Sequence, residues 1–418
     1  MGQSNSILQS CEKIGVDVTK ADCAIEFNSS GDVVSFGNVT RGHLEADTDI
    51  AGQGVLIAFL VPGVLLVLCG LIFALARAIS FFLTWRKQRH TRDNLPISEG
   101  KSSAWLHEHL DDFICSLSDA QLLVILAFGA AFYSKAQCSI STYHYTITIH
   151  LVLAGLAASL LALILIRKPQ KKIISMLLRI AMFSACLAGL LGQKDVQGVD
   201  NTSSIRSQLP GMDQRDSTVV LPTFCLLDDS LNPFPGLTAE EKKHLINKGL
   251  SRNAVVQSRF LLAFFILVAL FKHILGLRQR WGLESSHKVS SRCCGCNPAF
   301  VVYIMTTFCK FAVWAFSLIL ICYNWLTVFL LRDWVERSGW LELEDGQNPE
   351  RDVQGLGQIA PLIALGAIGF TITDTVSEFL NNWWKKTHPK ASAGSPNSIQ
   401  LQPVNSGHST HGYTPITP

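Results

Sequence analysis

Charged residues are scarce in this sequence: Asp, Glu, Lys and Arg make up only 16% of its 418 residues. Soluble domains carry about 25% charged residues, so this chain is short of the groups that would cover a water-facing surface. Its formal net charge is only +3, far from the strongly basic balance of a protein that binds nucleic acid. We therefore expect a membrane protein with no nucleic-acid partner.

The sequence also lacks the motifs of the soluble enzyme families. It contains no phosphate-binding glycine loop, no HExxH motif, no nucleophile elbow and no paired CxxC motifs. We accordingly expect neither a metal ion nor a cofactor. The cluster Cys293-Cys294-Gly295-Cys296 has too few nearby ligands for zinc, and its place beside an apolar run favours palmitoylation.

Long apolar runs are what the sequence does contain, with 48% hydrophobic residues and a mean hydropathy of +0.29. A helix needs roughly 20 mostly apolar residues to cross the hydrocarbon core of a bilayer. The runs predict an all-α integral membrane bundle of about seven transmembrane helices within residues 50–380. The predicted helices cover residues 50–78, 120–134, 145–166, 173–191, 260–277, 299–331 and 356–380.

The distribution of Lys and Arg predicts the orientation of this bundle. Basic residues concentrate in segments 86–101, 167–172, 278–292 and 385–390, whereas acidic residues dominate segment 333–352. Because basic loops stay in the cytosol, the N-terminus is predicted outside the cytosol and the C-terminus inside. The start Met1-Gly2-Gln3-Ser4-Asn5-Ser6 fits a myristoylation pattern that would require the opposite orientation, but accepting it would invert every basic loop.

Three further segments lie outside the predicted helices. Residues 1–49 form an extracytosolic N-terminal segment, and residues 192–258 form a large outer loop that is either a lid or a ligand gate. Residues 381–418 are rich in Ser, Thr, Pro and Gly, which predicts a disordered cytosolic tail.

Glycosylation sequons and cysteines agree with this orientation. The sequons at Asn28, Asn38 and Asn201 all fall on the predicted outer side, so we expect a glycoprotein. Four cysteines fall there too, and they permit two disulfide bonds with three alternative pairings. These cysteines are Cys11, Cys23, Cys138 and Cys225. The local pair Cys11–Cys23 is the expected bond.

Ionisable residues inside apolar runs are the first candidate site, because charge in lipid is costly and usually has a function. On the inner side, Asp119, Asp374 and Glu378 are candidate catalytic residues, and Arg179 lies several residues inside its helix. One interpretation is an ion-paired cluster that fixes helix register. The other is a pair of proton donor and acceptor groups.

A second candidate lies at the outer ends of the helices. Tyr143 and His144 open the third predicted helix, His150 lies deeper in it, and Asp49 precedes the first. Tyr143 and His144 are either part of an aromatic belt at the interface or catalytic residues, because a His beside a carboxylate can move protons. Asp49 is expected to cap its helix.

Two motifs carry a resemblance. The run DTDIAGQGVLIAFL at residues 47–60, and LSDAQL at 117–122 followed by CSISTYH at 138–144, resemble a group of multipass membrane proteins of filamentous fungi. The likeness covers roughly residues 11–190. It implies a fungal origin and the seven-helix arrangement. Members of that group resemble proteins encoded near secondary-metabolite genes, and some fungal membrane proteins of loosely similar architecture are terpene cyclases.

Three functions remain open at this stage. The first is an intramembrane acid–base enzyme, such as a terpene cyclase, acting on an apolar prenylated small molecule in the endoplasmic reticulum or plasma membrane. The second is a heptahelical sensor or receptor that signals through its tail. The third is a non-catalytic membrane scaffold or a transporter.

Overall fold

The computed structural model describes residues 22–90, 113–130, 140–165, 173–192, 209–227, 236–245, 256–268, 298–344 and 346–351, with a few isolated positions. The chain divides into two compact units, Met1–Ile372 and Thr373–Pro418. In the second unit the structure describes only Ser377 and Trp384. The predicted seventh helix otherwise lies outside the described residues, as do Asp374, Glu378, Asn201, Cys11, Cys138 and the tail.

The first unit is predominantly helical. Its helices are α1 Thr48–Ala51, α2 Gln53–His90, α3 Phe113–Ala130, α4 Thr142–Leu165, α5 Ile173–Gly192, α6 Thr223–Leu227, α7 Ala239–Leu245, α8 Val256–Val268 and α9 Pro298–Ser338.

Four helical segments are long and apolar enough to cross a bilayer. They are Thr48–Ile72, Phe113–Ala130, Thr142–Leu165 and Phe311–Ser338. Two further apolar helices, Leu177–Leu190 and Val256–Val268, are shorter. The prediction of a helical membrane protein is thus confirmed at this coarser level. The described part of the chain contains four candidate spans, and the count of seven stays a prediction.

Helix α4 is the centre of the bundle. In its apolar window 94% of the residues are buried, against 39–50% in the other three spans. Leu68, Leu71 and Ile72 of α2 instead point outward and are 42–56% exposed. Rows of exposed aliphatic side chains are unfavourable in water but match the hydrocarbon of a bilayer. The burial pattern therefore fits a lipid-embedded bundle.

Several helices are longer than their apolar runs. Helix α2 continues to His90, beyond the predicted end at residue 78, and α9 continues to Ser338, beyond residue 331. The backbone hydrogen bonds of a helix do not require apolar side chains, so charged turns can extend it. In the last turns of α9, Arg337 donates a hydrogen bond to Asp333 one turn earlier, at 2.7 Å.

Three chain segments form a small cap at one end of the bundle: residues 22–47, 209–227 and 339–351. The first contains an antiparallel sheet with strand order β1-β2-β3, in which the strands are Ile25–Phe27, Val33–Phe36 and Val39–Thr40. Leu44 pairs with Leu341 across the cap, and Ser141 pairs with Pro222. The cap is therefore tied both to itself and to the start of α4.

A disulfide bond links the first two cap segments. Cys23 pairs with Cys225, with their Cα atoms 5.6 Å apart, so the expected local bond Cys11–Cys23 is wrong. The partners are 202 residues apart in sequence, and they meet because the sheet packs against α6. Spacing along the sequence favours the short loop closed by Cys11–Cys23, and it carries no information about this contact.

Arg41 joins the sheet to the rest of the cap. Its guanidinium pairs with Asp216 and lies 4.7 Å from the centre of the Trp340 ring. It also donates a hydrogen bond to the carbonyl of Ser338 at 3.0 Å. Trp340 is fully buried and packs against Phe36, with ring centroids 5.0 Å apart. This aromatic and ionic cluster fixes the cap over the end of α9.

The closest approach of α3 to α4 is at Gly155. A Cβ atom added there would lie 2.7 Å from Ile125 Cδ1 and 2.8 Å from Gln121 Nε2. Gly155→Val is therefore expected to lower the free energy of unfolding by about 1–3 kcal/mol, because the helices must separate. Thermal unfolding of the full chain in detergent measures the effect.

The matched control is Gly129→Ala on α3. No atom lies within 4 Å of a Cβ added at Gly129. We expect this change to be neutral or stabilising by up to about 1 kcal/mol, because alanine favours the helix. Equal losses from both variants would contradict the packing described here.

Candidate functional site

A buried carboxylate, Glu350, organises the polar groups beneath the cap. It lies in the short helical turn Pro349–Arg351, and none of its surface is exposed. The backbone N–H of Glu350 donates to Asn348 Oδ1 at 2.9 Å, which holds the turn in place. A carboxylate this deeply buried must be matched by hydrogen-bond donors and positive charge.

Two side chains of α4 supply donors to Glu350. The Tyr143 hydroxyl donates to Oε2 at 3.0 Å, and His144 Nε2 lies 3.0 Å from Oε1. Tyr143 is fully buried, and the His144 side chain is only 3% exposed. The two carboxylate oxygens thus each contact a different group that can exchange a proton.

The remaining contacts of His144 define where its proton can lie. Ser141 Oγ is 2.9 Å from Nδ1, and the same oxygen accepts from the His144 backbone N–H at 3.4 Å. When the serine hydroxyl donates to Nδ1, the proton is on Nε2 and points at Glu350. The backbone N–H of Asp47 also approaches Nε2, at 3.2 Å, and it can donate only when Nε2 has no proton. The geometry therefore accommodates the proton on either His144 or Glu350.

Arg332 of α9 completes this group. Its Nε lies 4.0 Å from Glu350 Oε2, which is ion-pairing distance, and its Nη2 donates to the Glu350 carbonyl at 3.3 Å. We call Tyr143, His144, Arg332 and Glu350 the cap-end cluster. The positive charge of Arg332 balances the carboxylate. The members of the cluster come from α4, from α9 and from the turn Pro349–Arg351.

The inner-side candidate Asp119 has a different environment. Its Oδ1 accepts from Arg179 Nε, and its Oδ2 accepts from Arg179 Nη2 at 2.7 Å, which is a bidentate ion pair between α3 and α5. Both oxygens are therefore held by a guanidinium, which keeps its proton, unlike the phenol and the imidazole that contact Glu350. This geometry favours the helix-locking interpretation over the catalytic one.

The outer-side residues also separate into different roles. The helix cap of α1 is Asp47, whose Oδ1 accepts from the Asp49 backbone N–H at 3.1 Å, so the expectation that Asp49 caps the helix is wrong. The sequons Asn28 and Asn38 lie on exposed residues of the β hairpins. His150 does not join the cap-end cluster. It contacts Asn324 of α9 instead.

An apolar cavity of about 180 Å³ lies between α3, α4 and α5. Its walls include Gly129, Ala130 and Gly189, whose small side chains leave the space open. Thr148 also lines it, and Thr148 Oγ1 donates to the His144 carbonyl at 3.0 Å. One residue of the cavity wall thus lies about one helical turn from His144 of the cap-end cluster.

Sequence reasoning found Tyr143 and His144 but missed two members of the cluster. In the sequence, Glu350 is one of several acidic residues in segment 333–352, and Arg332 directly follows the end of an apolar run. The distinguishing features are the burial of Glu350 and its proximity to Arg332, and both depend on the cap fold.

Comparisons with protein-family models, with curated proteins and with solved structures found no match to this chain. Within the described residues, no group of three or more His, Cys, Asp or Glu side chains is placed to hold a metal ion. What the cap-end cluster offers is proton exchange among a phenol, an imidazole and a carboxylate in a water-poor setting.

Proposed function

We propose that this chain is a multi-pass membrane enzyme that performs acid–base chemistry on an apolar prenylated small molecule. The observation that carries the proposal is the contact of both oxygens of the buried Glu350 with proton-exchanging groups, Tyr143 Oη and His144 Nε2. A terpene cyclase fits this class. The fungal and secondary-metabolic setting of the proposal rests on the motifs at residues 47–60 and 117–144.

The chemistry requires one proton donor and one acceptor. In the proposed reaction, Glu350 in its protonated form gives its proton to an epoxide or alkene of the substrate. The resulting carboxylate is stabilised by Arg332 and by hydrogen bonds from Tyr143 and His144. A proton lost from the cyclised cation returns to the cluster, so the enzyme ends in its starting state.

The apolar cavity supplies the second support for the proposal. Its lining is almost entirely aliphatic, with Thr148 as the polar residue nearest to the cluster. A prenyl chain favours such a surface through burial of its hydrocarbon. The proposed substrate places its chain between α3, α4 and α5 and its reactive end towards the cap.

The proposal includes the orientation and the full helix count. Seven helices with the N-terminus outside the cytosol are supported by the basic segments and by the cap. The cap unites residues from three of the regions expected outside the cytosol: the N-terminal segment, the large loop and segment 333–352. Either the endoplasmic reticulum or the plasma membrane fits this arrangement.

Incubation of epoxyprenyl substrates with microsomes that contain the full chain tests the enzymatic proposal. We expect a cyclised product with the wild-type chain and at least about a hundredfold lower rate with Tyr143→Phe or Glu350→Gln, since each removes a proton-exchanging group. The exposed Glu342→Gln is the control and should keep full activity. Unchanged substrate across a broad panel would contradict the proposal.

A sensor is the second candidate, because the cap presents a folded, disulfide-linked surface at one end of the bundle. Ligand-dependent phosphorylation of the tail at residues 381–418 would favour it over the enzyme. The neighbouring genes offer an independent test, since adjacent prenyltransferase and epoxidase genes would support the enzymatic proposal.

A further inference from the structure

A second polar group lies deep in the bundle, away from the cap-end cluster. His150 of α4, Asn324 of α9 and Gln257 of α8 form a hydrogen-bonded row. Each is at least 92% buried. Asn324 lies at the middle of the apolar span Phe311–Ser338. Polar residues at this depth are costly and are retained for a structural or binding role.

The contacts of Asn324 fix the direction of every hydrogen bond in the row. The Asn324 atom 2.8 Å from the Leu320 carbonyl must be Nδ2, because that carbonyl can only accept. The second Nδ2 hydrogen goes to Gln257 Oε1 at 3.0 Å. The opposite atom, Oδ1, therefore accepts from His150 Nδ1 at 2.6 Å.

This arrangement leaves Gln257 Nε2 without a hydrogen-bond acceptor among the described residues. Its two hydrogens cannot be satisfied by turning the amide, because Oε1 is already needed by Asn324. Gln257 is 8% exposed, so water outside the bundle does not satisfy it either. An orphaned donor in a lipid-embedded interior points to an acceptor that is supplied from outside the chain.

The surroundings define the chemistry of that acceptor. The row contains no carboxylate, Lys or Arg, so nothing in it balances an ionised headgroup. One turn along the same faces lie Leu261 and Leu320, both buried. The acceptor is therefore a neutral oxygen on an otherwise apolar molecule.

We infer that Gln257, with Asn324 and His150 behind it, forms a binding site for the neutral oxygen of a membrane-soluble ketone, ester or ether. Gln257 Nε2 donates to that oxygen. Asn324 is a positioning residue, because it donates to the amide oxygen of Gln257 and so aims the amide nitrogen. His150 in turn holds Asn324 through its Oδ1. This site is separate from the cap-end cluster and does not depend on the enzymatic proposal.

Geranylacetone tests the inference with the full chain in detergent micelles. The comparison ligand is the hydrocarbon of the same skeleton that has a methylene in place of the carbonyl. We expect the ketone to bind about tenfold more tightly, which is the effect of one hydrogen bond to a buried donor. Tryptophan-fluorescence titration measures both affinities. Equal affinities would overturn the inference.

Variants and a direct spectroscopic measurement complete the test. Gln257→Leu should abolish the preference, so that the ketone and the hydrocarbon bind with about equal affinity. The control Ser159→Ala removes another buried unpartnered polar group and should keep the preference for the ketone. Because Gln257→Leu also removes the partner of Asn324, infrared spectra of carbonyl-labelled ketone on the wild-type chain provide an independent result. We expect the carbonyl stretching frequency of the bound ketone to be lower than that of the ketone in empty micelles. An unshifted frequency, or a preference for the ketone that survives Gln257→Leu, would overturn the inference.

Discussion

Replacement of Glu350 by alanine is expected to lower the free energy of unfolding by about 3–5 kcal/mol, because it removes one partner from a buried ionic group. Arg332 would then keep a half-buried charge without its carboxylate, and the Tyr143 hydroxyl would lose its acceptor. Denaturant or thermal unfolding of the purified chain in a mild detergent measures the change.

Glu342→Ala is the matched control for this prediction. Glu342 lies in the same cap segment as Glu350, but its side chain is exposed. A surface change of this kind should alter the free energy of unfolding by no more than about 0.5 kcal/mol. If Glu350→Ala proved as mild as the control, the cap-end cluster would not be buried as described.

Loss of the Cys23–Cys225 bond is the second large effect. Cys23→Ser is expected to lower the free energy of unfolding by about 2–5 kcal/mol, because the bond closes a loop of 202 residues and restricts the unfolded chain. Unfolding of wild-type and variant chains under non-reducing conditions measures it. The wild-type chain under reducing conditions should match the variant.

The control for the disulfide is Cys322→Ser. Cys322 is an exposed free cysteine on α9, so its replacement should change the stability by less than about 0.5 kcal/mol. Mass spectrometry of non-reduced peptides identifies the bond directly. Recovery of a peptide pair that joins Cys11 to Cys23 would contradict the cap described here.

The helical elements could largely be predicted from the sequence, because apolar run length reports directly on lipid burial. The predicted helices at residues 145–166 and 173–191 agree with α4 and α5 to within three residues. The continuous described part of α3 starts at Phe113, seven residues before the predicted start at Ala120. Asp119 interrupts the apolar run on which the prediction was based, and its pairing with Arg179 is what allows it there.

Local hydrogen-bonding patterns can also be recognised from the sequence. The sequence Thr238-Ala239-Glu240-Glu241 indicates a capping box, and the structure contains it. The Glu241 backbone N–H donates to Thr238 Oγ1 at 3.3 Å, and the Thr238 backbone N–H donates to Glu241 Oε2 at 2.7 Å. These bonds from Thr238 lower the pKa of the Glu241 carboxyl below its usual value. Short-range motifs of this kind need no tertiary information.

Long-range pairings could not be predicted in the same way. Tyr143 and His144 were evident as polar residues at a helix end, but their partner Glu350 is more than 200 residues away in sequence. Composition cannot tell which carboxylate of an acidic segment becomes buried. The same limit explains the wrong disulfide: a single sequence favours short loops, while the packed sheet selects Cys225 as the partner of Cys23.

Small residues illustrate a further limit. Gly129 and Gly155 both occur in apolar helices, yet Gly155 marks the tight contact between α3 and α4 while Gly129 lines the cavity. Which glycine faces a neighbouring helix depends on the rotation of both helices. That rotation follows from side-chain packing along the whole interface, which no local window of sequence contains.

We expect the bundle to lie in lipid with its cap outside the cytosol. Protease protection in sealed microsomes tests this orientation. One epitope tag is inserted at Gly31, in an exposed turn of the cap, and another within the tail at residues 381–418. Protease added from the cytosolic side should remove the tail tag and leave the cap tag intact. Digestion of the cap tag in intact vesicles, with the tail tag protected, would contradict the account.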